Sequence, residues 1–384
     1  MPSKKILILP CATQIGVEQF YSLRFNKLFE LVGASHNDND DLYSNFIKLN
    51  QPLDKPEFIE EIKSIISKHK IDILLPSHDE VLYILKNSEL SNLIPGNDKK
   101  VIDICRYKTK TYQELSKSPE LSPRIVDYKI VNNSFLKPDK GQGSRGTLQI
   151  ETDYLYCELL PGEEYTVDCF SNFENKLIYV NPRLRKKIVN GISETTSLVK
   201  DNEFNELAFY VNKVFKFKGS WFFQMKRDKN GVLKFLEIAP RIGGGSNINR
   251  LNGVNLTLSD LYQYLGFTVD IISQNLVSEI NRKSPRYDLE YDTIFVDYDD
   301  TFIFVEDVLE KLNKEIIVIT RSKVKVNSPY LEIYLEDHEK KSDIIKSLDK
   351  PNSIFIDDSF RERKDVILNC NIPVLTPEEV SYLL

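Results

Sequence analysis

A glycine-rich segment near the middle of the chain has the residue types that bind phosphate. It reads Phe135-Leu136-Lys137-Pro138-Asp139-Lys140-Gly141-Gln142-Gly143-Ser144-Arg145-Gly146. Glycines in a turn expose backbone N–H groups that can converge on phosphate oxygens, and Lys137 and Arg145 add positive charge. The P-loop pattern GxxxxGK[ST] is absent, and an ordinary polar hairpin turn would use the same residues. The segment therefore predicts a phosphate site only in combination with other motifs.

A pair of carboxylates follows an apolar run near the C-terminal end. This segment reads Phe295-Val296-Asp297-Tyr298-Asp299-Asp300-Thr301. If the run is a strand of a parallel sheet, Asp297 and Asp299 lie at its carboxyl end, where the active sites of α/β domains form. Carboxylates in that place can bind a divalent cation or transfer a proton. An acidic turn after a strand is also common in proteins where it has no function.

The composition of the chain excludes several classes of protein. Its 384 residues include 51 Lys and Arg and 57 Asp and Glu, so the net charge is −6 and a bulk footprint for nucleic acid is missing. No apolar stretch approaches the ~20 residues that span a bilayer. Five dispersed cysteines and four histidines favour neither a disulfide framework nor a zinc cluster. We therefore expect a cytoplasmic protein without nucleic-acid or membrane partners.

Hydrophobic periodicity divides the chain into three blocks and a linker. Residues 1–105 alternate strands with helices, which predicts a parallel α/β domain. The elements predicted in this block are strands over 6–10 and 71–76 and helices over 16–31 and 58–69.

The second block, residues 106–280, has hairpin-like strands and is predicted to be α+β. Its clearest turn is Asp228-Lys229-Asn230-Gly231, between two strand-like runs. A polar linker at 281–290 leads to the third block, residues 291–384, where short apolar runs alternate with helical segments. That alternation predicts a second parallel α/β domain. Its predicted strands are 293–296, 316–319, 353–356 and 373–375.

Further motifs follow the glycine-rich segment in a fixed order. They are Cys157-Glu158-Leu159-Leu160-Pro161-Gly162-Glu163-Glu164, then Gly219–Gln224, then Leu236-Glu237-Ile238-Ala239-Pro240-Arg241. With this order, residues 1–275 resemble the ATP-grasp superfamily, in particular the branch around the carbamoyl phosphate synthetase large subunit and the amino-acid ligases. The resemblance implies a Rossmann-like pre-grasp domain at 1–105. It also implies an ATP-grasp domain at 106–280, with a flexible lid around 109–157.

This resemblance implies a role for each matching residue. The implied ATP contacts are Lys108 and Lys137 at the phosphates, Gly143, Ser144 and Arg145 in the glycine loop, Glu158, Leu159 and Leu160 at the adenine, and Glu164 at the ribose. The implied Mg²⁺ ligands are Gln224 and Glu237. Arg241 would stabilise an acyl phosphate, and Arg183 and Arg185 would face the γ-phosphate and the acceptor. Ala239 stands where the family usually has a metal-binding Asn, so a second metal is absent or is held by Asn247 or Asn249.

The C-terminal block carries its own ordered set. After the Asp297 motif, Thr320 ends an apolar run, Lys341 opens a helical segment and Asp357 ends another apolar run. Residues 291–384 thus resemble the haloacid dehalogenase (HAD) superfamily. The resemblance implies that Asp297 is the nucleophile, that Asp299 is the general acid and base, and that Thr320 and Lys341 bind phosphoryl oxygens. It places Mg²⁺ on Asp297, Asp357 and the backbone carbonyl of Asp299. No cap domain fits between these motifs, so we expect an open site for a bulky phosphorylated substrate or for one that a partner domain delivers.

Together the two resemblances favour an ATP-dependent carboxylate–amine ligase that is fused to a Mg²⁺-dependent phosphatase. Its substrates would be a small-molecule carboxylate and an amine, with a phosphorylated metabolite for the phosphatase. Two alternatives stay open: an ATP-grasp kinase that phosphorylates a hydroxyl or phosphate acceptor, and a nucleotide-binding protein with degenerate catalysis. A homodimer is the common default assembly.

Overall fold

Residues 3–37, 42–116, 118, 121–123, 134–140, 154–189 and 191–384 are described by the structure, a computed structural model. Contacts divide the chain into two units. The first is Met1–Asn247 with Asn255–Ile271, and the second is Ile248–Val254 with Ile272–Leu384. The division does not separate 1–105 from 106–280 and does not isolate 281–290, so those predicted boundaries stay predictions.

The first unit contains both helices and strands. Up to the glycine-rich segment they are β1 (Lys4–Leu9), α1 (Gln14–Leu23), β2 (Phe29–Ser35), β3 (Phe46–Lys48), α2 (Glu57–His69), β4 (Ile73–Pro76), α3 (Asp79–Lys86), α4 (Lys99–Cys105), α5 (Lys108–Glu114) and β5 (Ser134–Pro138). After it they are β6 (Tyr154–Glu158), β7 (Glu164–Ser171), β8 (Leu177–Val189), β9 (Ile192–Leu198), α6 (Asn202–Phe215), β10 (Gly219–Arg227), β11 (Leu233–Ala239), α7 (Asn247–Arg250, which continues into the second unit) and α8 (Leu256–Tyr264).

Four parallel strands in the order β3-β2-β1-β4 form the first sheet. Leu7 and Leu9 of β1 pack in one hydrophobic core, and Ile6 and Ile8 pack in another. Such burial on both faces is expected for a parallel strand, because its helical crossovers cover both sides. The chain leaves β4 through Ser77-His78 and enters α3 at Asp79, so these polar residues lie at the carboxyl edge of the sheet.

Five antiparallel strands in the order β11-β10-β7-β8-β9 form the second sheet of this unit. One face is apolar: Trp221, Phe223 and Met225 of β10 pack with Phe204 of α6 in a hydrophobic core. Alternate residues point to the opposite face, which is polar. The predicted hairpin around 228–231 is confirmed as the β10–β11 pair. β5 and β6 form a separate antiparallel pair.

The second unit is built on five parallel strands in the order β15-β14-β13-β16-β17. Its core includes Phe295, Ile317 and Phe355 from the three middle strands. The elements of this unit are β12 (Glu279–Asn281), β13 (Thr293–Asp297), α9 (Ile303–Leu312), β14 (Glu315–Thr320), β15 (Leu331–Tyr334), α10 (Lys341–Ser347), β16 (Ser353–Ile356), α11 (Phe360–Cys370) and β17 (Val374–Leu375).

One prediction from periodicity is wrong in detail, and one strand was not predicted. The helix predicted over 16–31 ends at Leu23, because Asn26 forms a turn and accepts the Leu28 N–H at 3.0 Å through its side chain. β15 was not predicted, since its half-exposed residues form only a weak apolar run. Within the described ranges, no helix has the length and apolar character that a bilayer crossing needs.

Candidate functional site

The polar face of the antiparallel sheet places predicted site residues in rows. Glu237 on β11 is paired with Gln224 on β10, Gln224 with Thr166 on β7, and Thr166 with Arg183 on β8. Because paired residues of neighbouring strands point the same way, these four side chains share one face. Arg185 lies two residues beyond Arg183 on the same strand and therefore on the same face.

Arg185 is held by several partners on this face. Its Nη1 donates to the Glu164 carboxylate and lies 3.4 Å from the Gln224 Oε1, and its Nη2 donates to the Gly191 carbonyl at 2.6 Å. Its side chain is only 6% exposed. The resemblance implies that Glu164 contacts the ribose of ATP. In this structure its carboxylate pairs with Arg185, which the resemblance places near the γ-phosphate and the acceptor.

Arg241 pairs with a residue that the sequence did not single out. Its Nε lies 2.5 Å from the Asp79 Oδ1, its Nη2 donates to the other oxygen of that carboxylate, and its Nη1 donates to the Ile242 carbonyl at 2.8 Å. Burial alone would raise the pKa of Asp79, but the positive charge of Arg241 outweighs it and lowers that pKa. Asp79 and Arg241 are 162 residues apart, so no local pattern could have linked them.

Lys108 and Lys137 come together at the start of α5. Lys108 Nζ donates to the Pro138 carbonyl at 2.9 Å, directly beside Lys137, and Lys137 Nζ donates to the Tyr112 hydroxyl at 2.6 Å. Asp139 accepts two hydrogen bonds from Thr109 and ties α5 to the end of β5. Burial lowers the pKa of both lysines. Their positions fit a pair of cations around one polyanion.

These groups border two cavities in the first unit. The larger has a volume of about 390 Å³ and is lined by Thr13, Gln14, Ser77, His78, Arg183, Arg185, Phe222, Gln224, Glu237, Arg241 and Gly243 to Gly245, among others. The smaller, of about 30 Å³, is lined by Asp79, Arg106, Lys108, Tyr112, Glu237 and Ala239, among others. Glu237 borders both cavities. A small-molecule substrate fits the larger one, since ligand pockets are commonly ~300–1,000 Å³.

In the second unit, acidic residues gather at the carboxyl ends of the parallel strands. Asp297 ends β13, and Asp357 and Asp358 follow β16. One oxygen from each of the three carboxylates lies within 4.8 Å of the others. Lys341 Nζ donates to Asp297 and lies 2.7 Å from the Asp357 Oδ2. Burial, reinforced by the charge of Asp357, raises the pKa of Asp297.

The turn after β13 completes this cluster. Thr320, at the end of β14, lies 3.3 Å from the Asp299 Oδ2 through its hydroxyl. Asp358 N–H donates to the Thr301 hydroxyl at 3.0 Å, which ties the turn to the end of β16. Asp300 adopts φ = 61° in that turn. The structure thus brings the predicted residues of the C-terminal block together and adds Asp358 to them.

Comparison with known proteins identifies the fold. Residues 151–283 match a family model that is described as ATP-grasp in the biosynthetic pathway with Ter operon. The structure is similar to a biotin carboxylase from Campylobacter jejuni, solved with a β,γ-ATP complex, with a TM-score of 0.58 and 15% identity over 70% of this chain and 72% of that one. The chain carries an ATP-grasp fold.

Two other solved structures are similar to this chain. The biotin carboxylase domain of 2-oxoglutarate carboxylase from Hydrogenobacter thermophilus, in complex with Mg-ADP, ADP and bicarbonate, has a TM-score of 0.59 and 14% identity over 72% of this chain and 73% of that one. An L-amino acid ligase from Bacillus licheniformis has a TM-score of 0.54 and 14% identity over 71% of this chain and 79% of that one. No curated protein matches the sequence at a significant level.

Several predicted ATP contacts of the ATP-grasp region have a defined place. Glu158 ends β6, Leu159 is half exposed and Leu160 is buried. Gly143, Ser144 and Arg145, and much of the predicted lid over 109–157, lie outside the described residues. The sequence missed Asp79 and Asp168. Asp168 had a local signal, since Glu164, Thr166 and Asp168 alternate with apolar residues along β7.

The donor set of the ATP-grasp site fits one Mg²⁺. Glu237 supplies a carboxylate and Gln224 an amide carbonyl, and these are oxygen ligands that Mg²⁺ accepts. Ala239 supplies no ligand atom. Burial raises the pKa of Glu237 against the opposing charge of Lys108. Asn247 and Asn249 stay predictions as ligands of a second ion. In the second unit, the three clustered carboxylates suit a hard divalent cation.

Proposed function

We propose that the ATP-grasp region is an ATP-dependent carboxylate–amine ligase that acts through an acyl phosphate. The observation that carries this proposal is the convergence of cations on one pair of cavities. Lys108 borders the smaller cavity, and Arg185 and Arg241 border the larger. The order of the polar motifs along the chain resembles that of the ATP-grasp superfamily, and this order supports the proposal further. The ATP-grasp fold agrees with the proposal but does not by itself define the reaction.

In the proposed reaction, a carboxylate oxygen attacks the γ-phosphorus of ATP and the bond to ADP breaks. The amine nitrogen then attacks the acyl carbon, phosphate leaves and the nitrogen loses a proton. Lys108 and Lys137 hold the phosphates against the approaching anion, and Arg241 stabilises the charge on the acyl phosphate. Mg²⁺ on Glu237 and Gln224 would neutralise phosphate charge. Arg241 must exchange part of its contact with Asp79 for the substrate.

The test is a screen for ADP release with pools of carboxylates and amines. We expect release only when both classes are present and expect the product to be the condensation of the two, as read by mass spectrometry. Release that needs only an alcohol or a phosphate acceptor, with a product heavier by one phosphoryl group, contradicts the ligase.

One observation favours a kinase as the second candidate. Ala239 occupies a position on β11 that faces the smaller cavity and supplies no metal ligand. This departure from the usual ligand set leaves room for phosphoryl transfer to a hydroxyl or phosphate acceptor. The same mass measurement separates the two candidates. Tight binding of nucleotide without any turnover would instead indicate degenerate catalysis.

We propose that the second unit is an HAD-type phosphatase. Asp297 would attack the phosphoryl group and form an aspartyl phosphate while the alcohol leaves. Asp299 would protonate that leaving group and then activate water. Lys341 and Thr320 would bind the phosphoryl oxygens, in keeping with their positions beside Asp297 and Asp299. Bound at Asp297 and Asp357, Mg²⁺ would offset the charge of the phosphate.

Hydrolysis of p-nitrophenyl phosphate with Mg²⁺ tests this assignment. We expect wild-type protein to release nitrophenol and Asp297→Asn to lose that activity. Asp307→Asn is the matched control, because Asp307 is an acid of the same unit with a 76% exposed side chain. A wild type that is inert on a broad panel of phosphomonoesters contradicts the phosphatase.

A further inference from the structure

The carboxylate of Asp79 has two arginines beside it. Arg241 holds it through two nitrogens, as described above. Arg106, which ends α4, borders the same small cavity as Asp79. Burial raises the pKa of Asp79, and Arg106 is among the charges that lower it, after Arg241. Asp79 therefore interacts with both cations, but its hydrogen bonds go to Arg241.

Arg106 has a donor that the structure leaves unused. Its Nη2 donates to the Glu80 carboxylate. Its Nε is buried and has no hydrogen-bond partner within the described part of the chain. Buried donors of this kind are rare in folded proteins, because they have lost water and gained nothing in return. The unused nitrogen calls for a partner in some state of the protein.

The exposure of the two carboxylates shows which of them needs Arg106 more. The Glu80 side chain is 37% exposed, whereas that of Asp79 is 21% exposed. Water can solvate Glu80 when Arg106 turns away from it, since exposed ion pairs contribute little to stability. Asp79 lies deeper and depends more on a cation.

The reaction proposed for this site creates that need. Arg241 exchanges part of its contact with Asp79 for the acyl phosphate. The exchange leaves a partly buried carboxylate with less compensation, in a cavity that Glu237 also borders. A carboxylate left in this way is costly and opposes the departure of Arg241.

We propose that Arg106 is a positioning residue that pairs with Asp79 when Arg241 turns to the acyl phosphate. This inference rests on the role proposed for Arg241. The cavity that Asp79 and Arg106 share has a volume of about 30 Å³, which gives the carboxylate room to turn. One ion pair replaces another, so the net charge of the site does not change and no covalent bond is involved.

Equilibrium unfolding tests the pairing without turnover, with the fluorescence of Trp221 as the signal. In Arg241→Met protein, Asp79 has lost its first cation, so Arg106 should already pair with it. We expect Arg106→Met to raise the unfolding equilibrium constant at least about tenfold more in the Arg241→Met protein than in wild type. Equal effects in the two proteins overturn the proposal.

Two further variants assign the unfolding effect to Asp79. Asp79→Asn should cancel the difference between the two proteins, because no charge is left for Arg106 to compensate. Arg227→Met is the control, since this arginine of β10 pairs with Glu203 and should have the same effect in both proteins. A difference that persists with Asp79→Asn contradicts the assignment.

Turnover tests whether the pairing serves the reaction. Arg106→Met should slow ADP release that depends on both substrates by roughly 10- to 100-fold, and Arg106→Lys should restore most of the rate. In Asp79→Asn protein, the same Arg106→Met change should have no further effect beyond about twofold. A purely structural role would lower the rate equally in both proteins, and that result overturns the proposal.

Nucleotide binding separates this role from a direct phosphate contact. The affinity for the non-hydrolysable analogue AMP-PNP with Mg²⁺ should stay within about twofold in Arg106→Met, as measured by calorimetry. A large loss of affinity would show that Arg106 binds the nucleotide and would overturn the positioning role.

The two kinds of measurement also separate this inference from the ligase itself. If no pair of carboxylate and amine releases ADP, the ligase is contradicted, and the unfolding measurements still decide whether Asp79 pairs with Arg106. If ADP release needs both substrates but Arg106→Met leaves it unchanged, the ligase stands and the role of Arg106 is overturned.

Discussion

The two units of this chain differ in how the charges of their candidate sites are compensated. In the first unit, each arginine of the larger cavity has a carboxylate partner, and the three pairs are Arg183–Asp168, Arg185–Glu164 and Arg241–Asp79. In the second unit, three carboxylates converge and Lys341 is the cation that two of them share. The first site is balanced, whereas the second has an excess of negative charge.

The two candidate sites therefore differ in the charge that a ligand has to supply or replace. The two charges of a buried ion pair compensate each other, so a ligand of either group must replace part of that contact, as proposed for Arg241 and Asp79. Crowded carboxylates are unstable together unless protons or cations compensate them. The raised pKa of Asp297 is one sign of that crowding. Substitutions at charged residues of both units test this contrast.

The largest effect is expected from Lys341→Met. The change leaves Asp297 and Asp357 buried without their ammonium partner, which costs about 3–5 kcal/mol for comparable buried pairs. Added Mg²⁺ should recover part of the loss, because a dication can take the place of the missing charge. Hydrogen exchange of the β13 amides, measured in EDTA and in Mg²⁺, reports the stability of this unit. Lys340→Met is the adjacent control, with a 65% exposed side chain. Equal protection of the two variants would contradict the contrast.

Arg241→Met should slow ADP release that depends on both substrates by roughly 10²–10³-fold. It removes the donor to the acyl phosphate and also frees Asp79, whose pKa then rises because its cation is gone. Arg227→Met, at an arginine of β10 that pairs with Glu203, provides the control. If Arg241→Met releases ADP at the wild-type rate, the balanced pair is purely structural.

Asp260 of the first unit is a buried carboxylate that hydrogen bonds stabilise, whereas the carboxylates discussed above pair with cations. Burial raises the pKa of Asp260 to about 7, although the N–H of Ser220 donates to it at 2.7 Å. At pH values between the ordinary pKa of an aspartate and about 7, the folded protein therefore binds more protons than the unfolded chain does. The free energy of unfolding should therefore fall as pH rises through that window, by roughly 2–3 kcal/mol between about pH 5 and pH 8.

Asp260→Asn should remove this pH dependence, because the amide still accepts the Ser220 hydrogen bond but does not ionise. Urea unfolding is followed by the fluorescence of Trp221, which is the single tryptophan and is buried in the core of this unit. An unchanged slope of stability with pH in the variant would show that other groups control it.

The smallest effect is expected at an exposed ion pair. Lys323 lies 3.3 Å from the Asp337 Oδ1 and 3.4 Å from the Glu336 Oε2, but its side chain is 64% exposed. Water and salt screen such pairs, so Lys323→Met should not measurably shift the melting midpoint of the protein. A clear loss of stability would show that exposed charge in this unit is worth more than solvent screening allows.

Local patterns predicted much of this molecule. The β10–β11 hairpin followed from its Asp-Lys-Asn-Gly turn, and the alternation of strands and helices at both ends followed from buried aliphatic runs. The order of the motifs indicated the ATP-grasp fold before any contact was known. These features depend on neighbours in sequence. β2 and β15 were not predicted. The apolar spacing at the start of β2 also fits a helix, and β15 is only partly buried.

The amino-acid sequence shows which chemical groups the chain possesses and the order in which they occur. Their partners are set by folding, which pairs Arg241 with Asp79 across 162 residues and Arg183 with Asp168 on a neighbouring strand. The physical reason is that a side chain's charge balance depends on what folding brings within a few ångströms of it and removes from water.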